Sequence, residues 1–208
     1  RTRESAFPSR SKGVTLALEM DHKLIRCFLA VELSESLRKE AQVFVEGIKT
    51  EYPDFRFIPS QNWHLTLHFF GDLSSAQVEE VKIKLPDFLG ETQPFLISLE
   101  HLGAFPDGGK PRILWLGVSG DTSKLLALKK QVDQALKKLR FEIERRPFHP
   151  HLTVARSKNQ FPKTALNLTC EFKAKTMDSI RHLTLFQSSL SSRGVSYTVL
   201  KTFPFSEP

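Results

Sequence analysis

The chain has 208 residues, 40% of them hydrophobic and 25% charged, and a formal net charge of +7 with pI near 9.5. That length holds one full core, and the composition excludes a disordered chain. No apolar run approaches the roughly 20 residues that span a bilayer, so no membrane is expected. The excess of Lys and Arg favours an anionic partner such as RNA. Cys27 and Cys170 are the two cysteines, with no Cys-x-x-Cys between them. That usage suits a reducing compartment and a cytoplasmic location rather than a disulfide scaffold or a thiolate metal site.

In chain order, residues 1–19 carry Arg1, Arg3, Arg10 and Lys12 against two acids. They read as a flexible N-terminal tail or extension, with Met20 a natural start; a transit peptide is the alternative. Residues 24–31 (LIRCFLAV) read as a strand. Ser34 then caps a helix whose apolar residues Leu37, Ala41, Phe44 and Ile48 recur at helical spacing. Next comes WHLTLHFF at 63–70, a strand. A Ser74–Gln77 capping box opens a second helix with Val78, Val81 and Leu85 on one face, ended by Pro86. The strand PFLISLEHL (94–102) closes the first half. PDGGKPR (106–112) reads as a turn between halves rather than a phosphate loop.

The same order then restarts. RILWLGV (112–118) is a strand, and a helix from about Thr122 to Arg140 carries Leu125, Leu128, Val132, Leu136 and Leu139 on one stripe. HLTVAR follows. A constant shift of 87 residues, the spacing from His64 to His151, also sets Leu29 on Leu116, Val31 on Val118 and Thr66 on Thr153. The register is lost after Ser157, where KNQFPKTALNLT has no counterpart. Three strand-like runs (CEFKAKTM, SIRHLTLF and VSYTVLKTF) finish the chain. We therefore expect an α+β fold that duplicates a β-α-β-α-β unit: two antiparallel sheets facing across a central cleft, with helices outside. Residues 20–208 would form one domain of two intimately joined lobes, roughly 20–110 and 111–208.

His-x-Thr occurs three times: His64/Thr66, His151/Thr153 and His182/Thr184. Seven His and thirteen Thr in 208 residues predict roughly half of one copy by chance. Strand residues two apart share a face at about 6.5–7 Å, so each copy puts an imidazole and a hydroxyl on one floor. Any single copy is better explained as polar residues of a half-buried strand. Two copies at matched positions of a duplicated unit point instead to one site: two imidazoles for proton transfer and two hydroxyls to hold phosphate oxygens, as cleavage of a phosphodiester requires. The first half offers only His101-Leu102-Gly103 against His182-Leu183-Thr184. His182 is accordingly expected to be a strand histidine with a local hydrogen bond.

Metal chemistry fits less well. His64 and His68 have the spacing of a helical zinc pair, but in a strand they would lie about 13 Å apart. His149 and His151 have no carboxylate or thiolate close in sequence to complete a set. No nucleophile elbow, paired-carboxylate signature or Gly-x-x-x-x-Gly-Lys loop is present. No metal or other cofactor is expected.

The segments RCFLAVEL, HLTLHFFGDL, FPDGGKPRILWLGV, HPHLTVAR and SSLSSRGVSYTVL, spread from Leu24 to Phe203, resemble the two-histidine phosphoesterase superfamily. The likeness is strongest to its bacterial RNA 2′,3′-cyclic phosphodiesterase branch, also called 2′-5′ RNA ligase. The resemblance implies metal-independent opening of a terminal 2′,3′-cyclic phosphate to a 2′-phosphate, with the 3′-oxygen leaving and reversible 2′-5′ ligation as a further activity. His64 would be proton donor and His151 proton acceptor. Thr66 and Thr153 would hold the phosphate, and Arg156 would contact it. Simple alternation points Arg156 away from His151, so that role requires the strand to end or bulge near Ala155. Phe28 would stack on a nucleobase or pack in the core. The implied partner is RNA with a terminal 2′,3′-cyclic phosphate, or a small nucleotide, acted on by a monomer without an obligatory protein partner. Two alternatives stay open: a non-catalytic RNA or nucleotide-binding module of this fold, and a related phosphoesterase acting on ADP-ribose cyclic phosphate or 2′-5′ oligoadenylate.

Overall fold

The computed structural model describes residues 24–106, 110–158, 168, 171–192 and 194–206. The tail expected over 1–19, the centre of the PDGGKPR turn, most of KNQFPKTALNLT and Cys170 lie outside the described residues.

The first half runs β1 (Ile25–Glu32), α1 (Glu35–Ile48), β2 (Phe55–Phe57), β3 (His64–Leu73), α2 (Ser75–Lys84), α3 (Pro86–Leu89) and β4 (Phe95–Phe105). The second runs β5 (Ile113–Gly120), α4 (Thr122–Lys138), β6 (His151–Ser157), β7 (Asp178–Ile180), β8 (His182–Ser191) and β9 (Gly194–Pro204). The helix starts follow local chemistry. The Ser34 hydroxyl accepts from the Leu37 N–H, and Ser74 and Gln77 form the full reciprocal capping box. Pro86 both ends α2 and opens α3, where a missing N–H costs nothing. On α1 the buried stripe is Leu37, Ala41, Val45 and Ile48. Phe44 sits at its border, stacked on Phe172 at 4.6 Å. Truncating fully buried Leu37 would cost about 2–5 kcal/mol.

Two antiparallel sheets result, ordered β3-β1-β8-β9 and β2-β6-β5-β4-β7. Strands are exchanged between the halves: β4, the last of the first half, pairs with β5, and β8 of the second half pairs with β1. The chain crosses between sheets at Arg181, after β7 has paired with β4, so the run expected as one strand, SIRHLTLF, is two. CEFKAKTM contributes only a bridge between Lys173 and Glu100. There the backbone N–H groups of Lys175 and Thr176 donate to the Glu40 carboxylate on α1 instead of to a ladder.

The first sheet has two apolar faces with different neighbours. Cys27, Leu29 and Val31 of β1 join the main core with the helices, whereas Phe28 and Ala30, alternating with them, form a separate cluster with Phe186, packed by Tyr197. The second cluster lies on the face that carries the first motif.

Strand pairing corrects the internal alignment. Glu32, Val31, Ala30, Leu29 and Phe28 oppose His64, Leu65, Thr66, His68 and Phe69. Gly117, Leu116, Trp115, Leu114 and Ile113 oppose His151, Leu152, Thr153, Ala155 and Arg156. The spacing is therefore 87 between the motif strands but 85, from Glu32 to Gly117, between β1 and β5: Leu29 corresponds to Leu114 and Val31 to Leu116. A two-residue slip leaves the alternation of faces unchanged, so hydrophobicity could not reveal it.

Candidate active site

Both motif strands carry a β-bulge at the same place. Leu67 on β3 and Val154 on β6 have no direct partner on β1 and β5. The extra residue turns two successive side chains inward, Leu67 with His68 and Val154 with Ala155, all buried. Residue parity then flips. Arg156 emerges on the face of His151 and Thr153, as its proposed role requires, and Phe69 emerges at the matching position of the first motif.

His64, Thr66, His151, Thr153 and Arg156 line one cavity of about 70 Å³, with Ile58, Asn62 and Tyr197 completing the wall. The two imidazoles are set alike. The ring Nδ1 of His64 lies 2.9 Å from the Asn62 carbonyl oxygen, and that of His151 lies 2.7 Å from the His149 carbonyl oxygen. A carbonyl only accepts, so both Nδ1 atoms carry hydrogen and both Nε2 atoms are left for chemistry. Ring walls hold them: His64 stacks on Phe28 at 4.6 Å and meets the Tyr197 edge at 5.1 Å, while His151 meets Phe105 edge-on at 5.0 Å.

Burial sets the charge state of the empty site. It pushes the His64 pKa down to about 4, the Asn62 carbonyl pulling it back, Arg156 lowering it further and Glu32 raising it. His151 is also lowered by burial; its bond to the His149 carbonyl opposes this, and His149 and Arg156 add to it. Burial raises the Tyr197 phenol, with Arg156 lowering it. Both lowered values leave the histidines neutral at neutral pH in the empty site.

Phe28 is only 2% exposed and forms the wall behind His64, with Phe186 stacked at 5.2 Å. His182 lies outside the cavity lining and makes its expected local bond, Nε2 to the Glu32 carboxylate at 3.4 Å. Its strand does have a counterpart. Thr184 opposes Ala30 as Gly103 opposes Trp115, so His182-Leu183-Thr184 matches His101-Leu102-Gly103. Gly103 replaces a threonine because the Trp115 indole fills the space: a Cβ there would lie 2.2 Å from its ring. Among the described residues, no three His, Cys, Asp or Glu side chains gather closely enough to hold a metal ion.

Sequence reasoning missed Ile58, Asn62 and Tyr197. Asn62 donates from Nδ2 to the Val195 carbonyl at 3.0 Å, tying the turn before β3 to the β9 strand that carries Tyr197. Tyr197 is one of two tyrosines in the chain, in the quoted SSLSSRGVSYTVL segment, but only pairing of β8 with β1 brings it to His64.

Residues 27–187 match the family model of the 2′-5′ RNA ligase superfamily. A protein of Aquifex aeolicus named RNA 2′,3′-cyclic phosphodiesterase is 32% identical, over 87% of this chain and 97% of its own length. One of the same name from Archaeoglobus fulgidus is 32% identical over 86% and 99%. Among solved structures, a Thermus thermophilus protein aligns with a TM-score of 0.73 at 25% identity, covering 87% of this chain and 98% of its own. Escherichia coli LigT complexed with 3′-AMP has a TM-score of 0.72 at 21% identity, over 88% and 99%, and so attests the fold. The chain belongs to the 2′-5′ RNA ligase superfamily.

Proposed function

We propose that the protein is an RNA 2′,3′-cyclic phosphodiesterase that converts a terminal 2′,3′-cyclic phosphate to a 2′-phosphate. The observation that carries this reading is the single small cavity into which two equivalent strands present His, Thr and, from the second, Arg156. The names of the Aquifex and Archaeoglobus relatives agree with it. In the reaction, water attacks phosphorus and gives its proton to Nε2 of His151. The bond to the 3′-oxygen breaks, and that oxygen takes the proton on Nε2 of His64. The Thr66 and Thr153 hydroxyls donate to the non-bridging oxygens, and Arg156 balances the charge that gathers there. Phe28 keeps the His64 ring in place. With a 5′-hydroxyl in place of water as the attacking group, the same proton transfers would join a 2′-5′ bond, and the reverse would cleave it.

The test is to supply the purified protein with 2′,3′-cyclic nucleotides, RNAs ending in the cyclic phosphate, ADP-ribose cyclic phosphate and 2′-5′ oligoadenylate, and to identify the products. A 2′-phosphate from the cyclic ends, undiminished by EDTA, supports the reading. A 3′-phosphate product, or turnover of only the last two compounds, contradicts it.

A further inference from the structure

The two motif rows differ in what stands beside each histidine. On β1, Glu32 is directly opposite His64; on β5, Gly117 is directly opposite His151. Direct cross-strand neighbours share a face, with Cβ atoms about 4.5–5.5 Å apart. The residue paired with His64 therefore bears a carboxylate, and the residue paired with His151 does not.

That carboxylate is held in place. The fully buried Thr184 hydroxyl donates to Glu32 Oε2 at 2.9 Å, and His182 Nε2 lies 3.4 Å from the same oxygen. On the other sheet no side chain fits: a Cβ at Gly117 would lie 2.3 Å from the His101 ring, which lies over it from β4. Matched positions thus hold a tethered anion in one lobe and an imidazole over a glycine in the other.

We propose that Glu32 is the positioning residue that makes His64, rather than His151, the protonated member of the pair. This rests on the acid–base reading above and goes further: it states why two histidines in matched settings take different roles. The groups facing His64 are Glu32 from β1, Arg156 and His151 from β6 and Tyr197 from β9. Those facing Glu32 from β8 are His182 and Thr184. Burial, the largest cause, opposes an imidazolium at both histidines and carries His64 down to about 4; Arg156 opposes one at both, and His149 opposes one at His151. Glu32 acts in the opposite sense, at His64.

Glu32→Gln keeps the size of the side chain and an oxygen for the Thr184 hydroxyl while removing the charge. Histidine ring resonances of the full chain, followed by NMR titration in sulfate, should show the His64 pKa lowered by about one unit, a tenfold change in its protonated fraction, with His151 moved far less. With a 2′,3′-cyclic nucleotide, the alkaline limb of the kcat profile should move down by the same amount. KM should hold, and kcat at pH 8 should fall roughly tenfold. Hydrolysis of a p-nitrophenyl phosphodiester, whose leaving group needs no proton, should change less than about twofold. Thr184→Val keeps the charge and removes the tether, and should leave His64 near its original pKa. The proposal is overturned if Glu32→Gln leaves His64 unmoved, if it shifts both histidines equally, or if Thr184→Val reproduces its whole effect. Should the unmodified protein open no cyclic phosphate, the acid–base reading falls, and the titration alone still decides whether Glu32 favours a proton on His64.

Discussion

The first motif strand and the second share a bulge, a histidine–carbonyl bond and a hydroxyl two residues on, yet they differ at several positions around that frame. Where β6 has Arg156, β3 has Phe69, half exposed under the Arg26 guanidinium at 4.8 Å. Where β1 has Ala30 and its neighbour Thr184, β5 has Trp115 and its neighbour Gly103. The larger residue of the pair changes strands, and the chemistry changes with it. The two motif strands supply imidazoles in matched settings, and these differences give them unlike surroundings.

The largest expected effect breaks both halves alike. His64→Ala and His151→Ala should each lower turnover of a cyclic phosphate by about 10² to 10⁴, because each removes one proton-transfer partner. His182→Ala, which touches only the neighbour of His64, should cost far less. Steady-state assays on folded variants decide this, and loss confined to His182 would contradict it.

The next effect separates the halves. Arg156→Ala should lower kcat roughly 10²-fold if its guanidinium faces the phosphate in the transition state, whereas the matched Phe69→Ala should change kcat less than about threefold. Equal losses would show that the bulge serves packing in both strands rather than phosphate binding in one.

A smaller effect reads the charge state of the empty site. With both histidines neutral at pH 7 and His64 as low as about 4, binding of a cyclic nucleotide to the His151→Ala variant should take up close to one proton. A phosphodiester does not itself titrate there, so calorimetry in buffers of different ionisation enthalpy would report the gain. Net release of a proton would contradict the assignment.

The smallest concerns stability. His68 stands where β6 has Ala155, is 5% exposed, and has its pKa pushed down to about 4 by burial, with Lys129 lowering it and Asp133 raising it. Above about pH 6.5 the ring is neutral in both the folded and unfolded chain. Below that the unfolded chain binds a proton the folded one refuses, so stability falls as pH drops toward 4, by on the order of 3 kcal/mol. His68→Leu should flatten the fall in Tm between pH 7 and pH 5. An unchanged slope would place the acid sensitivity elsewhere.

Much of this was legible in the sequence because it is local. Ser34 and the Ser74–Gln77 box mark helix starts, and His-Leu-Thr at matched positions marks the site. The features that were not legible depend on pairing between distant strands. The exchange of β4 and β8, the shift of 85 rather than 87 in the first strand, and the arrival of Tyr197 beside His64 leave the period-2 pattern untouched. Alternation alone misplaces Arg156, because the residue that reverses its direction, Val154, is as apolar as its neighbours. Why His101-Leu102 is followed by glycine where His182-Leu183 is followed by threonine was not legible for a related reason: Gly103 answers to Trp115 across the sheet, not to its own sequence neighbours.

The central claim, that His64 gives a proton and His151 takes one, is tested most directly by the leaving group. A nucleotide p-nitrophenyl phosphodiester that the unmodified protein turns over needs no proton on departure, so it should restore the His64→Ala variant to within about tenfold of the unmodified rate while leaving His151→Ala impaired. Rescue of His151→Ala instead would exchange the two roles, and rescue of neither would contradict acid–base catalysis by this pair.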